Sequence, residues 1–162
     1  MAQLDRFLEE CFHPRRGRPE LRPIAPNTRR AREHLDKAHK NLRAMQLMYR
    51  EEHFDWTVVC GYYAMYHAVL AALYHIGIAA SSHGCAVAAF RRFYVDRGQV
   101  PARYTAFLKR AQQLKKRYAE SLEEARRNRI TVLADHGAAG FFFLLAKFRD
   151  FGVCSYTDPL AH

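Results

Sequence analysis

Thiols, imidazoles and guanidinium groups are the side chains of this 162-residue chain with the most chemistry to offer. The four cysteines, Cys11, Cys60, Cys85 and Cys154, lie far apart with no C-x-x-C pair. They read as free thiols of a cytosolic protein, not as a zinc set. His53 with Asp55, and His83 with Cys85, would begin a metal site, but neither supplies enough ligands. His67 sits one helical turn from Tyr63 in an apolar stretch, where a hydrogen-bonded core histidine is the ordinary reading. His83 follows Ser81 and Ser82 and is placed to close a turn. Direct function is the rival reading for both. There is no H-E-x-x-H, no glycine-rich phosphate loop and no repeat, so no metal and no cofactor is expected. The arginines say more. Twenty Arg and 6 Lys against 16 acidic groups leave a net charge of +10. That excess fits a polyanionic partner: RNA, DNA, a ribosome or an acidic protein.

These side chains must be held by helices. The central stretch, Trp56 to Ile78, reads WTVVCGYYAMYHAVLAALYHIGI. Val59, Tyr62, Tyr66, Val69, Leu73 and Ile76 recur at helical spacing, and Gly61, Ala64, Ala68 and Ala72 add a small-residue stripe beside them. A helix apolar on most sides belongs in the middle of a bundle. Its two histidines, cysteine and four tyrosines make it a poor lipid-facing helix despite its length. Before it, Thr28 to about Glu52 shows Ala31, Leu35, Ala38, Leu42, Met45 and Met48 on one face, with Asn27 or Thr28 as cap. Arg29, Arg30, Arg32, Lys37, Lys40 and Arg43 crowd the remainder, a solvated face or an anion-contacting one. Ser81 or Ser82 caps a third helix from His83 that stops at Gly98. A fourth runs from about Pro101 to Arg127, with Lys115 and Lys116 among its cations. A bend falls within 128–140, and a last helix spans Phe141 to Phe151.

Ahead of the bundle, residues 2–12 form a short amphipathic helix. His13 to Pro26 then holds four of the six prolines and four arginines. Proline fixes φ and removes donors, so this is an extended basic arm: a solvated connector, or a segment lying along nucleic acid or a partner. Asp5, Glu9 and Glu10 interrupt any apolar run near the N-terminus, so no signal peptide is expected. No alternating strand pattern stands out. The fold class is all-α, an antiparallel bundle of four to five helices. Its parts are a helix and basic arm over 1–26, a bundle over 27–152 and a tail over 153–162.

Gly61-Tyr62-Tyr63-Ala64-Met65-Tyr66-His67-Ala68, with Leu70, Leu73, Gly77 and Ser82-His83-Gly84, resembles the second helix and following turn of HEPN domains. Phe90, Tyr94-Val95, Gly98, Leu114, Lys116 to Glu120 and Ala146 to Phe148 continue the resemblance over about 28–151. The resemblance implies an antiparallel bundle that commonly dimerises. It also implies RNA or a nucleotide as partner, with a minimal nucleotidyltransferase often encoded beside it. Many such domains are metal-independent ribonucleases of toxin–antitoxin and other defence systems; others bind nucleotides or RNA, or act as scaffolds, without cleavage.

The nuclease members share an arginine followed, after four to six residues, by a histidine late in the bundle, and dimerisation joins two such pairs. Here the matching pair is Arg129 and His136, in RITVLADH. Cleaving RNA through its own 2′-hydroxyl needs a proton carrier and a cation at the phosphate, which histidine and arginine supply. Arg126, Arg127 and Asn128 flank the pair and, with Lys115, Lys116, Arg29 and Arg30, form the expected nucleic-acid-binding set. Ile130 stands where nuclease members usually place a polar residue, and Gly137 where a tyrosine often follows. Two readings stand: a cytoplasmic, homodimeric endoribonuclease toxin using Arg129 and His136, or a non-catalytic RNA- or nucleotide-binding or adaptor protein using the same cations. A membrane partner is not expected.

Overall fold

The order of elements follows from where the apolar periodicity runs and where Pro and Gly break it. The structure is a computed structural model describing residues 2–120. Helix α1 covers Ala2–Phe12, strand β1 Leu21–Pro23, α2 Thr28–Arg50 and α3 Phe54–His75. Strand β2 covers Ile78–Ala80, α4 His83–Phe90, and α5 Arg103–Glu120. The expected bend over 128–140, the helix over 141–151 and the tail lie outside the described residues.

Helix α2 begins where expected because Asn27 Oδ1 accepts the Arg30 amide at 2.9 Å, filling one of the donors a helix start leaves open. Ala31, Leu35, Ala38, Leu42 and Met45 are buried along its α3-facing side. Helix α3 has almost no polar face, and Val58, Tyr62, Ala64, Ala68, Leu73 and their neighbours are buried on several sides. Among the described residues it is the one helix long and apolar enough to cross a membrane, and 67% of its apolar window is buried inside the bundle. Its hydrophobicity is spent on neighbours, with each fully buried Leu or Val contributing roughly 1.5–3 kcal/mol. Gly61 lets α2 approach closely: a Cβ there would stand 2.9 Å from Met45 Sδ.

Ser82 takes the cap position of α4 with extended backbone and no side-chain cap bond. Its carbonyl accepts the Ala86 amide at 3.0 Å instead. The third helix is not uniform. After Phe90 it widens into a π-helical turn over Arg91–Val95. The turn seats Tyr94 in the core, its hydroxyl donating to the Ala72 carbonyl at 2.9 Å. Burial pushes that phenol above its ordinary range.

The basic arm departs from expectation. It neither hangs free nor reaches outward along its whole length; it folds back as β1 and pairs antiparallel with β2 in the register Leu21↔Ala80, Arg22↔Ala79, Pro23↔Ile78. Three-residue strands are too short to show a period of two, so no alternation announced them. Further backbone bonds extend the stitching: Glu20 N–H to the Cys11 carbonyl at 3.0 Å, Ser81 N–H to the Glu20 carbonyl at 2.9 Å, Ile24 N–H to the Gly77 carbonyl at 2.9 Å and Asn27 N–H to the Tyr74 carbonyl at 2.9 Å. The cysteines depart too. Cys11 and Cys85 form a disulfide across 74 residues of sequence, joining α1 to α4, so the free-thiol reading holds among the described residues for Cys60 alone. Spacing along the chain carried no trace of this pairing, because the arm's return brings Cys11 to α4.

Candidate functional site

Position along α3 decides which polar groups meet. Tyr63, His67 and Tyr74 follow one another at i, i+4 and i+11, one side of a 3.6-residue helix. Helix α2 lays His34 over this stripe. The His34 and His67 rings stack with centroids 5.3 Å apart and their Nδ1 atoms 3.1 Å apart. On its other side the His34 ring stacks on Tyr74 at 5.1 Å. One turn before His34, the Arg30 guanidinium lies 5.8 Å above the Tyr74 ring. Helix α5 closes the opposite end: Lys115 Nζ donates to the Tyr63 hydroxyl at 3.0 Å and stands 4.6 and 5.1 Å from the Tyr63 and Tyr62 ring centroids.

A second layer lies beneath. Tyr62 and Tyr66 are buried and stacked on each other, and the His83 ring lies flat on Tyr66 with centroids 4.0 Å apart. The Tyr62 hydroxyl and His83 Nδ1 form a hydrogen bond. The turn after β2 carries His83 there, which is why the serine-capped histidine of the sequence is neither free nor merely a turn residue. Among the described residues, three histidines, four tyrosines and a lysine thus share one continuous seam between α2 and α5 across α3.

The imidazoles of this seam are uncharged near neutral pH. Burial chiefly, then His67, Lys37 and Arg30, hold His34 down at about 4. Burial, then Lys37 and His83, lower His67, and burial, then Lys115, lower His83. A pair of rings meeting Nδ1 to Nδ1 requires one donor and one acceptor, so a single shared proton satisfies both and a second would be repelled. Tyr66 is pushed up to about 12, chiefly by burial, so its hydroxyl stays protonated. The arrangement offers uncharged hydrogen-bonding rings with aromatic faces, bracketed by two fixed cations. Such a surface suits a ligand that combines planar rings with phosphate.

Of the cations expected to bind nucleic acid, Lys115 and Arg30 belong to this seam. Lys116 is exposed on α5. Arg29 is exposed and faces Glu33 at 3.8 Å, a solvated i,i+4 pair of little energetic weight. Arg126, Arg127 and Asn128, with the expected catalytic pair Arg129 and His136, lie outside the described residues. Sequence reasoning read His67 correctly as a hydrogen-bonded group, read His83 only as a turn residue, and missed His34 and Lys37 as members of the seam. Their signal was Arg30, His34 and Lys37 at i, i+4 and i+7, one face of α2, hidden within an arginine-rich helix.

The model of the HEPN domain matches residues 31–132, more than half of the chain. The match takes in α2 through α5, and with them His34, His67, His83 and Lys115. It also covers Arg126 to Arg129 and ends before His136. No curated protein and no solved structure matches the chain. With its central apolar helix inside a match of that extent, this chain is a member of the HEPN domain family.

Proposed function

We propose that this protein binds RNA along the seam of α2, α3 and α5. HEPN domains have nucleotide- or RNA-related functions in general, and the seam supplies a physical basis for one here. The observation that carries the reading is Lys115, whose ammonium bonds the Tyr63 hydroxyl at 3.0 Å while lying over two tyrosine rings. That places a cation and aromatic faces together beside uncharged imidazoles, on a chain of net charge +10. Phosphate contact would give affinity and salt dependence, and ring stacking would tolerate any base.

A second reading is an endoribonuclease in which Arg129 stabilises the phosphate and His136 moves the proton. Its support is the family itself together with an arginine and a histidine late in the chain, in a pattern close to that of nuclease members. In this reading a homodimer joins two pairs in one cleft, and a nucleotidyltransferase partner and a toxin role in the cytoplasm follow by resemblance.

One experiment separates the two. The full chain, with His136→Ala and Arg129→Ala beside it, is incubated with total RNA in EDTA. Intact RNA that shifts on a gel with a steep salt dependence, weakened in Lys115→Met, supports the binding reading. Fragments ending in 2′,3′-cyclic phosphate, lost in both variants, replace it with the nuclease. Intact RNA without a shift rejects both.

A further inference from the structure

Cys11, Glu20 and Cys85 come from three separate places in the fold: the last turn of α1, the residue before β1, and the first turn of α4. Each offers one ligand atom, and these atoms lie within 4.8 Å of one another. Cys11 and Cys85 are 3% and 2% exposed. They border a cleft of about 430 Å³ that Arg15, Arg16 and Arg18 also line.

The carboxylate is the telling member. Glu20 Oε2 lies 2.9 Å from Cys85 Sγ. A disulfide sulfur has no proton to give, so in the oxidised pair Cys85 offers this exposed carboxylate no hydrogen bond. The contact gains a purpose only when the sulfur carries a proton or when both atoms share a cation. Nor is Glu20 placed by chance. Its N–H donates to the Cys11 carbonyl and its own carbonyl accepts from Ser81 N–H, fixing the backbone on both sides. Among the described residues it forms no ion pair with the arginines of the same cleft.

We propose that, once the Cys11–Cys85 bond is reduced, Cys11, Cys85 and Glu20 hold a zinc-type divalent cation whose fourth coordination position faces the arginine-lined cleft. Two thiolates and a carboxylate select a borderline-soft ion over magnesium or calcium. Bond lengths of about 2.3 Å to sulfur and about 2.0–2.2 Å to oxygen put ligand atoms roughly 3.5–4 Å apart, so the sulfurs must move apart from their bonded distance once the disulfide is reduced. The Cα atoms, 5.8 Å apart, allow the sulfurs to separate by side-chain rotation. Reduction takes two electrons from an added phosphine and two protons from water, whose oxygen ends on the phosphine as its oxide, and yields two thiols. Metal binding then releases the two thiol protons, leaving three negative ligands against a doubly charged ion. The arginines beside the site offset the surplus negative charge, and the open position takes water or a small anion. This departs from the expectation drawn from sequence, in which no metal site was foreseen. Helix α1 is thereby clamped to α4 in both redox states, covalently in one and through the ion in the other.

The test uses cobalt as the probe. The full chain is reduced with a phosphine, the phosphine is removed without air, and Co²⁺ is titrated at pH 7.5. A thiolate-to-cobalt charge-transfer band with intense visible bands of tetrahedral type, saturating at one ion per chain and displaced by Zn²⁺, is the expected result. Cys60→Ser/Cys154→Ser keeps the signal, and Cys85→Ser loses it. Glu20→Gln, which retains both thiols, weakens binding at least tenfold and changes the visible bands. The unreduced chain shows no signal. Absence of the charge-transfer band in reduced protein that retains its helical circular dichroism overturns the proposal. So does a band that persists in both Cys11→Ser and Cys85→Ser, or one unchanged by Glu20→Gln.

Discussion

The seam along α3 and the strap at the N-terminus both gather polar groups against the same apolar helices, by opposite means. The seam is held from within: stacked rings, shared hydrogen bonds and uncharged histidines, on helices whose burial pattern is regular. The strap is held from outside, by a disulfide, a two-stranded sheet and backbone bonds that cross between distant segments. Its side chains are mostly exposed and several are arginines. Where a segment lacks an apolar face long enough to bury, covalent and backbone links do the fixing. The comparison therefore predicts that the strap responds to redox conditions and the seam to pH.

The largest effect is expected at the disulfide. Closing a loop of 74 residues restricts the unfolded chain enough to stabilise the fold by about 4 kcal/mol. Cys11→Ser should cost about that much in urea unfolding, and added reductant should lower wild type while leaving the variant unchanged. A variant as stable as wild type would show that the seam holds the fold alone. Next comes the junction of strap and bundle. Gly77 adopts φ +82°, and a Cβ there would stand 2.5 Å from the Ile24 carbonyl oxygen. Gly77→Ala should cost about 2–3 kcal/mol through left-handed strain and the displaced Ile24 backbone that follows β1. Its added hydrogen exchange should concentrate in residues 20–27 and leave the α2–α3 amides protected.

The seam answers to acid. His34 is held at about 4 in the folded chain against an ordinary value of 6.5, so between those values the unfolded chain binds the additional proton. Stability is full above about pH 6.5 and falls as pH drops toward 4. His67 and His83, also lowered by burial, act in the same direction. Allowing for partial solvent screening, His34 accounts for roughly 2 kcal/mol across that window. His34→Phe should flatten the pH dependence of the urea midpoint between pH 6.5 and 4, whereas Cys11→Ser should leave its slope intact. Equal slopes in His34→Phe and wild type would move the titrating group out of the seam.

The same contrast explains what could be read from the sequence. Helices α2 and α3 were legible because most of their apolar stripes bury as periodicity requires, Ala31, Leu35, Ala38, Leu42 and Met45 on α2 and Tyr62, Tyr66, Val69 and Leu73 on α3; Met48 and Val59 are only half-buried, and Ile76, past the end of α3, is exposed. Motif residues around Tyr62 to Ala68 carried the family for the same reason. The strap was opaque. Its strands are three residues long, its disulfide joins residues that only the chain's return brings together, and its prolines look the same in a docked segment as in a free one. The seam was half legible: His67 and His83 stood out as single residues, but their meeting with His34 and Lys115 depends on how α2 and α5 are rotated about α3. No one-dimensional pattern specifies that rotation.

The smallest effect is also the sharpest test of where RNA lies. Lys115 is half-buried and bonded to Tyr63, so Lys115→Met removes one cation without emptying a core position. If a phosphate meets that ammonium, the slope of log affinity against log salt should fall by about 0.7 for single-stranded RNA, with affinity reduced by about tenfold at most. The comparison variant neutralises Arg15, Arg16 and Arg18 together, cations of the strap that touch no part of the seam. Three exposed arginines outweigh one lysine in any long-range attraction, so a purely electrostatic encounter would make the triple variant the weaker binder. Binding along the seam predicts the reverse for short oligonucleotides, because Lys115 also orders the half-buried Tyr63 ring on which a base would stack. A six-nucleotide RNA, titrated against both variants at several salt concentrations, decides between them. Loss of stacking contributes to affinity without changing the salt slope, so Lys115→Met should lose more affinity than its slope change accounts for, and the triple variant should not.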